Sequence, residues 1–264
     1  WDPTNFFTYI EKGEELAKKG ASKEKRFDKN LINLGLVVSE DNIPLMHIVY
    51  EGNKRESDII TDITELIHER LIKLDFKIED IIFVFDKGNN SEDNIPKIKK
   101  KFHFVGSLRM NQMSHLLDVS LSEFKELYTN KKEHLIKGFK TKSKIYDEEY
   151  TVVVTYNEES AKKQKETTEK LFRQEENAHQ FSWSLNETAL IERRKTYGKN
   201  ILFTDLSDWK AEDIAKTYNS KAIVESDFKV FKDKLLIPVK PFYSRKDPRL
   251  KAHIFICVLS MVLE

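Results

Sequence analysis

The sequence predicts a mixed α/β fold, and three observations carry that expectation. Apolar runs of strand length recur along the chain. Between them lie stretches whose apolar residues repeat at helical spacing. Over the first hundred or so residues the two kinds follow one another as β-β-β-α-β-α-β, a meander that passes into alternating strands and helices.

Each element has its own reason. "PTNFFTY" (3–9) is rich in aromatics and Thr, which favour an extended chain. "LINLGLVV" (31–38) is almost continuously apolar, as a strand buried on both faces is. "SEDN" supplies turn residues, and "IPLMHIVY" (43–50) follows as the partner strand. In "SDIITDITELIHERLIKL" (57–74), Ile60, Ile63, Ile67 and Leu71 share one helical face, and Ser57 or Asp58 can cap it. "IIFVFD" (81–86) is a strand that ends in Asp86 and a Lys-Gly turn. "SEDNIPKIKK" reads as a short helix and "FHFVGSL" (102–108) as a fifth strand.

From about 110 to 199 the character changes. The stretch is polar, with charge runs, one clear strand "YTVVVTY" (150–156) and a helix over about 158–178. It reads as an insertion or second small domain. Strand character returns with "NILFTD" (200–205). A long helix over roughly 208–234 follows, and "PRLKAHIFICVLSMVL" (248–263) is a last, largely buried helix. The division expected is therefore a core over 1–109, an insertion over 110–199, and the rest of the core over 200–264.

Composition narrows the function classes. With 264 residues, 39% of them hydrophobic, a sizeable core is within reach. The 45 Lys and Arg are balanced by 44 acids, so there is no global basic signal for nucleic acid, though a local basic surface is open. One cysteine excludes a disulfide framework within the chain and fits a reducing, cytosolic setting. No signal peptide is expected from these residues, and the most apolar segment, at the C-terminus, is too short to span a membrane. A start at Trp1 and a stop inside an apolar run suggest a piece of a longer protein.

One helical stripe raises a chemical question. At about 100° per residue, with Tyr218 as zero, Lys221, Glu225 and Lys232 fall within an arc of about 60° of it. Val224, Phe228, Phe231 and Leu235 occupy the adjoining arc, the core face. On spacing alone, Lys221 and Glu225 make an ordinary solvated i,i+4 pair worth a few tenths of a kcal/mol. Two more acids change the weighing. Asp86 ends an apolar strand, at the carboxyl edge where ligand sites of α/β sheets gather, although Asp before Gly88 also reads as a turn. Asp2 precedes Pro3, where a turn is the plain reading.

The chain resembles the catalytic domain of the Asp-Asp-Glu insertion-sequence transposases, in the group marked by a Tyr, two residues, Arg, three residues, Glu, six residues, Lys signature. Here that signature reads Tyr218, Lys221, Glu225, Lys232, with Lys in the place of Arg, which trades a bidentate phosphate contact for a point charge. "WDPTNFF" resembles the segment of the first acid, at Asp2. "GASKEKRFDKNLINLGLVV" and "IPLMHIVYEGNKRESD" resemble the second and third strands. "IIFVFDKGNNSEDN" resembles the segment of the second acid, at Asp86, and "PFYSRKDPRLKAHIFICVL" the closing one. Only position suggests the family's insertion over 110–199.

The resemblance implies an RNase H-like core: a mixed five-stranded sheet flanked by helices and interrupted before the helix of the catalytic Glu. It implies Asp2, Asp86 and Glu225 as catalytic metal ligands. Converging carboxylates repel one another, and hard divalent cations remove that penalty. Two Mg²⁺ ions, with Mn²⁺ as substitute, would clamp an in-line displacement at phosphorus. Tyr218, Lys221 and Lys232 would touch DNA phosphates. Trp183 either stacks on a displaced base or packs the insertion. His253 reads as a structural hydrogen-bonding residue and Cys257 as core. The function implied is transposition: cleavage at the element's terminal inverted repeats and joining to target DNA, by a dimer on paired ends in a prokaryotic cytoplasm, at the nucleoid. The alternatives are a decayed or domesticated non-catalytic DNA-binding derivative, and a structure-specific nuclease on the same fold.

Overall fold

The computed structural model describes residues 1–176, 187–233, 236–237 and 239–263. The chain divides into two compact units, Trp1–Phe104 with Asn219–Glu264, and Val105–Tyr218.

The first unit opens with an antiparallel sheet in the order β1 (Asp2–Thr8), β2 (Asn30–Val38), β3 (Pro44–Glu51). The apolar run of β2 is buried along nearly its whole length, as a central strand with both faces covered must be. The turn into β3 places Asn42 at φ 65°, a conformation Asn tolerates well. Gly35 in β2 leaves room for the Trp1 ring, since a Cβ there would lie 1.8 Å from it. Helix α1 (Glu56–Lys73) buries Ile60, Ile63, Ile67 and Leu71, the face its spacing predicts. Strand β4 (Ile82–Phe85) and helix α2 (Asn94–Lys99) follow, and β5 (His103–Leu108) begins here. The Trp1 nitrogen donates to the Val84 carbonyl at 3.2 Å, which ties the start of β1 to β4. The unit closes with α6 (Ala222–Lys232) and α7 (Asp247–Leu263). Both pack on the meander: Phe6, Leu34, Leu36, Val224, Phe228, Phe231 and Ile254 share one core.

The second unit is richer in strands than its sequence suggests. It holds β6 (Lys125–Thr129), β7 (Leu135–Ile145), β8 (Glu148–Asn157), α3 (Glu158–Glu176), α4 (Glu187–Lys195), β9 (Lys199–Thr204) and α5 (Ala211–Asn219), which ends at the unit boundary. The sheet runs β4-β5-β9-β8-β7-β6. Tyr146 and Asp147, at φ 47° and 66°, make the tight turn between β7 and β8. Gly198 takes φ 69° at the entry to β9.

The α/β class and the RNase H-like plan stand, with the five core strands shared between two ladders: β1-β2-β3, and β4-β5 continuing into the larger sheet. Three expectations are corrected. The region over 110–199 contains three strands rather than one; in β7, Lys140 to Lys144 alternate Lys with Thr and Ser, so few apolar residues mark a strand paired on both sides. Strand β9, expected in the core, lies between β5 and β8 and belongs to the second unit. The single helix over 208–234 is two helices, broken at Ser220 and Lys221. Among the described residues no helix is long and apolar enough to cross a membrane.

Candidate active site

Asp2 is the first residue of β1 and faces Leu36 of β2 in register. Asp86 follows directly on β4, where the strand gives way to a turn closed by the Asn89 amide on the Asp86 carbonyl at 3.1 Å. Glu225 lies in the first turn of α6, where the helix dipole favours a carboxylate. That helix is held to β1 and β2 by Val224, Phe228 and Phe231 on its adjoining arc. Two strands and one helix thus carry three acids to one end of the first unit.

Lys221 stands among them. Its Nζ donates to Asp86 Oδ2 at 3.1 Å and pairs with Glu225 Oε1 at 3.3 Å. The lysine side chain is 19% exposed, against 36% for Asp86 and 50% for Glu225, so the cation is the most enclosed member of the trio. Asp2 shares the field. Burial pushes its carboxyl above the ordinary value, Lys23 and then Lys221 pull it back, and Asp86 adds to the rise. A buried carboxyl that resists ionisation gains most from a cation brought to it.

The donor set is oxygen only, which fits a hard divalent cation in kind. Among the described residues, no three His, Cys, Asp or Glu side chains stand close enough together to hold a metal ion. The present spacing of the acids is drawn around an ammonium.

The other candidates fall elsewhere. Lys232 ends α6 with its Nζ 5.9 Å from the centre of the Phe6 ring, and burial lowers its pKa. Glu24 and Asp2 oppose that fall, and Lys23 and Lys240 add to it. Tyr218 belongs to the second unit, at the end of α5; it is buried, and its hydroxyl bonds the Ser107 Oγ at 3.0 Å. Tyr218 thus falls on α5, whereas Glu225 and Lys232 fall on a separate helix, α6, with Lys221 at its N-cap. Trp183 lies outside the described residues. His253 Nε2 bonds the Val239 carbonyl at 3.0 Å, and Cys257 is buried, as expected of a structural pair.

Lys23 is the residue that sequence reasoning missed. It donates to the Pro3 carbonyl and is the strongest charge acting on Asp2. Nothing in "GASKEKRF" marks it, because its position depends on the loop after β1 folding back on that strand. The same loop brings Glu24 to Lys240, 2.8 Å away.

The sequence model of the family described as "Transposase DDE domain" matches residues 6–263. Asp86 and Glu225 lie within the matched residues, and Asp2 just precedes them. No curated protein matches the chain.

Proposed function

We propose, since the chain belongs to the transposase DDE domain family, that it cleaves phosphodiester bonds at the ends of a mobile DNA element and joins the freed 3′-hydroxyl to target DNA. The observation that supports this most is that Lys221 pairs with both Asp86 and Glu225, from β4 and α6, and that Asp2 of β1 feels the charges of Lys23, Lys221 and Asp86. A merely structural ion pair needs one acid and one base. Here two acids far apart in sequence share one lysine, and a third, held above its ordinary pKa by burial, lies within the field of the same lysine.

In this reading Asp2, Asp86 and Glu225 would hold two Mg²⁺ ions, with Mn²⁺ as substitute. Bound there, such ions supply charge neutralisation at phosphorus and an activated water or 3′-hydroxyl. The chain's own residues do the rest. Lys221 and Lys232 take backbone phosphates as point charges and fix the scissile bond without reading sequence. The apolar arc of α6 keeps Glu225 in place. Tyr218 keeps its hydroxyl on Ser107. The partners would be double-stranded DNA, at the element's inverted repeats and at the target, bound by a dimer on paired ends in a prokaryotic cytoplasm.

The test uses the purified protein, Mg²⁺, and duplexes carrying the inverted repeats that flank its coding sequence. Asp86→Asn lowers nicking by about a thousandfold or more and changes DNA affinity by less than about threefold. Equal cutting by the variant and the parent sinks the assignment. Cleavage without joining points to a nuclease, and binding without cleavage in either Mg²⁺ or Mn²⁺ points to a non-catalytic derivative.

A further inference from the structure

Lys221 is asked to do two things that cannot happen at once. In the structure its ammonium spans Asp86 Oδ2 at 3.1 Å and Glu225 Oε1 at 3.3 Å. In the reading above, which this inference rests on, the same ammonium takes a DNA phosphate and the same carboxylates take divalent ions. An ammonium left between those carboxylates repels an arriving divalent cation and already satisfies the oxygens the ion needs. Either the ion binds weakly or the lysine leaves.

The geometry gives the lysine a way to leave. Its backbone sits in the short break between α5 and α6, at φ −57° and ψ −21°, and anchors the stem at the start of the helix that carries Glu225. A lysine is a compact charge on a flexible four-carbon stem. An arginine in its place would lie flat against one carboxylate through two bonds and let go less readily. The acids it serves are more exposed than it is, so solvent and ligands reach the oxygens first.

We propose that Lys221 is an exchangeable internal cation that couples DNA binding to metal binding: it neutralises Asp86 and Glu225 while the site holds no DNA, and a backbone phosphate draws it away and opens the carboxylates to divalent ions. Lys221 is thus a positioning residue for the metal as well as a phosphate contact. By linkage, whatever factor DNA adds to metal affinity, metal adds to DNA affinity.

The test measures Mn²⁺ binding by electron paramagnetic resonance, in the presence and absence of a duplex, with the duplex alone as blank. In the parent the duplex strengthens Mn²⁺ binding by about tenfold. Lys221→Met binds Mn²⁺ about tenfold more tightly than the parent without DNA, and the duplex then adds little. Lys221→Arg keeps the tight hold on the acids and so binds Mn²⁺ no better than the parent without DNA. The proposal is overturned if Lys221→Met matches or falls below the parent without DNA, or if the duplex leaves the parent's Mn²⁺ affinity unchanged. The second measurement needs no variant, so a poorly folding Lys221→Met does not protect the idea. Asp86→Asn separates the two readings. If it binds Mn²⁺ as well as the parent, the metal assignment fails and takes this inference with it. If it binds worse while Lys221→Met behaves as the parent, only the coupling fails.

Discussion

Helix α6 carries two carboxylates two residues apart, and they live in opposite conditions. Glu225 is half exposed and shares the Lys221 ammonium with Asp86. Asp227, on the other flank, is 4% exposed; Asn42 hydrogen-bonds it, but its Oδ2 has no hydrogen-bond partner, and burial pushes its pKa up to about 6. The difference is one of company rather than of residue type. Water and a cation surround Glu225, whereas the core side of the helix makes charge on Asp227 expensive. Of the two, Glu225 is the one that the proposed function assigns to a metal.

The sharpest way to break the comparison is to neutralise each acid in turn. Glu225→Gln lowers strand cleavage by about a thousandfold, and Asp227→Asn leaves it within about threefold. Equal losses in a nicking assay would show that the two flanks are not functionally distinct. Next comes the arc between them. Phe231 is buried in the core shared with β1 and β2, and Phe231→Ala costs about 3–5 kcal/mol in denaturant unfolding. Cleavage falls with it only as far as the folded fraction does.

The smallest effect is a pH dependence. The unfolded chain releases the Asp227 proton near pH 4, while the native state keeps it to about pH 6. The native state therefore binds more protons within that window, so stability from this group is full below about pH 4, falls as pH climbs to about 6, and is flat above. The total is about 3 kcal/mol at most. Asp227→Asn recovers about 1–3 kcal/mol of stability at pH 8, and the gain vanishes near pH 4. Melting curves of parent and variant at the two pH values check it, and a gain that persists at pH 4 refutes the assignment.

Much of the first unit is legible in its residues, for a reason that differs by element. Strand β2 announces itself because both its faces are covered, so nearly every residue is apolar. Helix α1 is marked by one buried face at helical spacing. Strand β7 is silent because one face meets water: Lys140, Lys142 and Lys144 are exposed, and hydrogen bonds to β6 and β8 hold it straight. The helix expected over 208–234 misleads because periodicity continues across a two-residue break. Of the acids, Asp86 is placed by the end of its strand and Glu225 by its apolar neighbours. The part played by Lys23 has no local mark at all, since it depends on a loop closing over β1.

The sequence by itself determined the order of the core elements, the apolar arc that seats α6, and the i,i+4 spacing of Lys221 and Glu225. These are local properties, set by periodicity and the burial each segment requires. Only the tertiary structure decided that Lys221 also spans to Asp86, that Lys23 leans on Asp2, and that Tyr218 turns to Ser107. Charges act through space at a few ångströms, and distance along the chain says nothing about which ones will share a field.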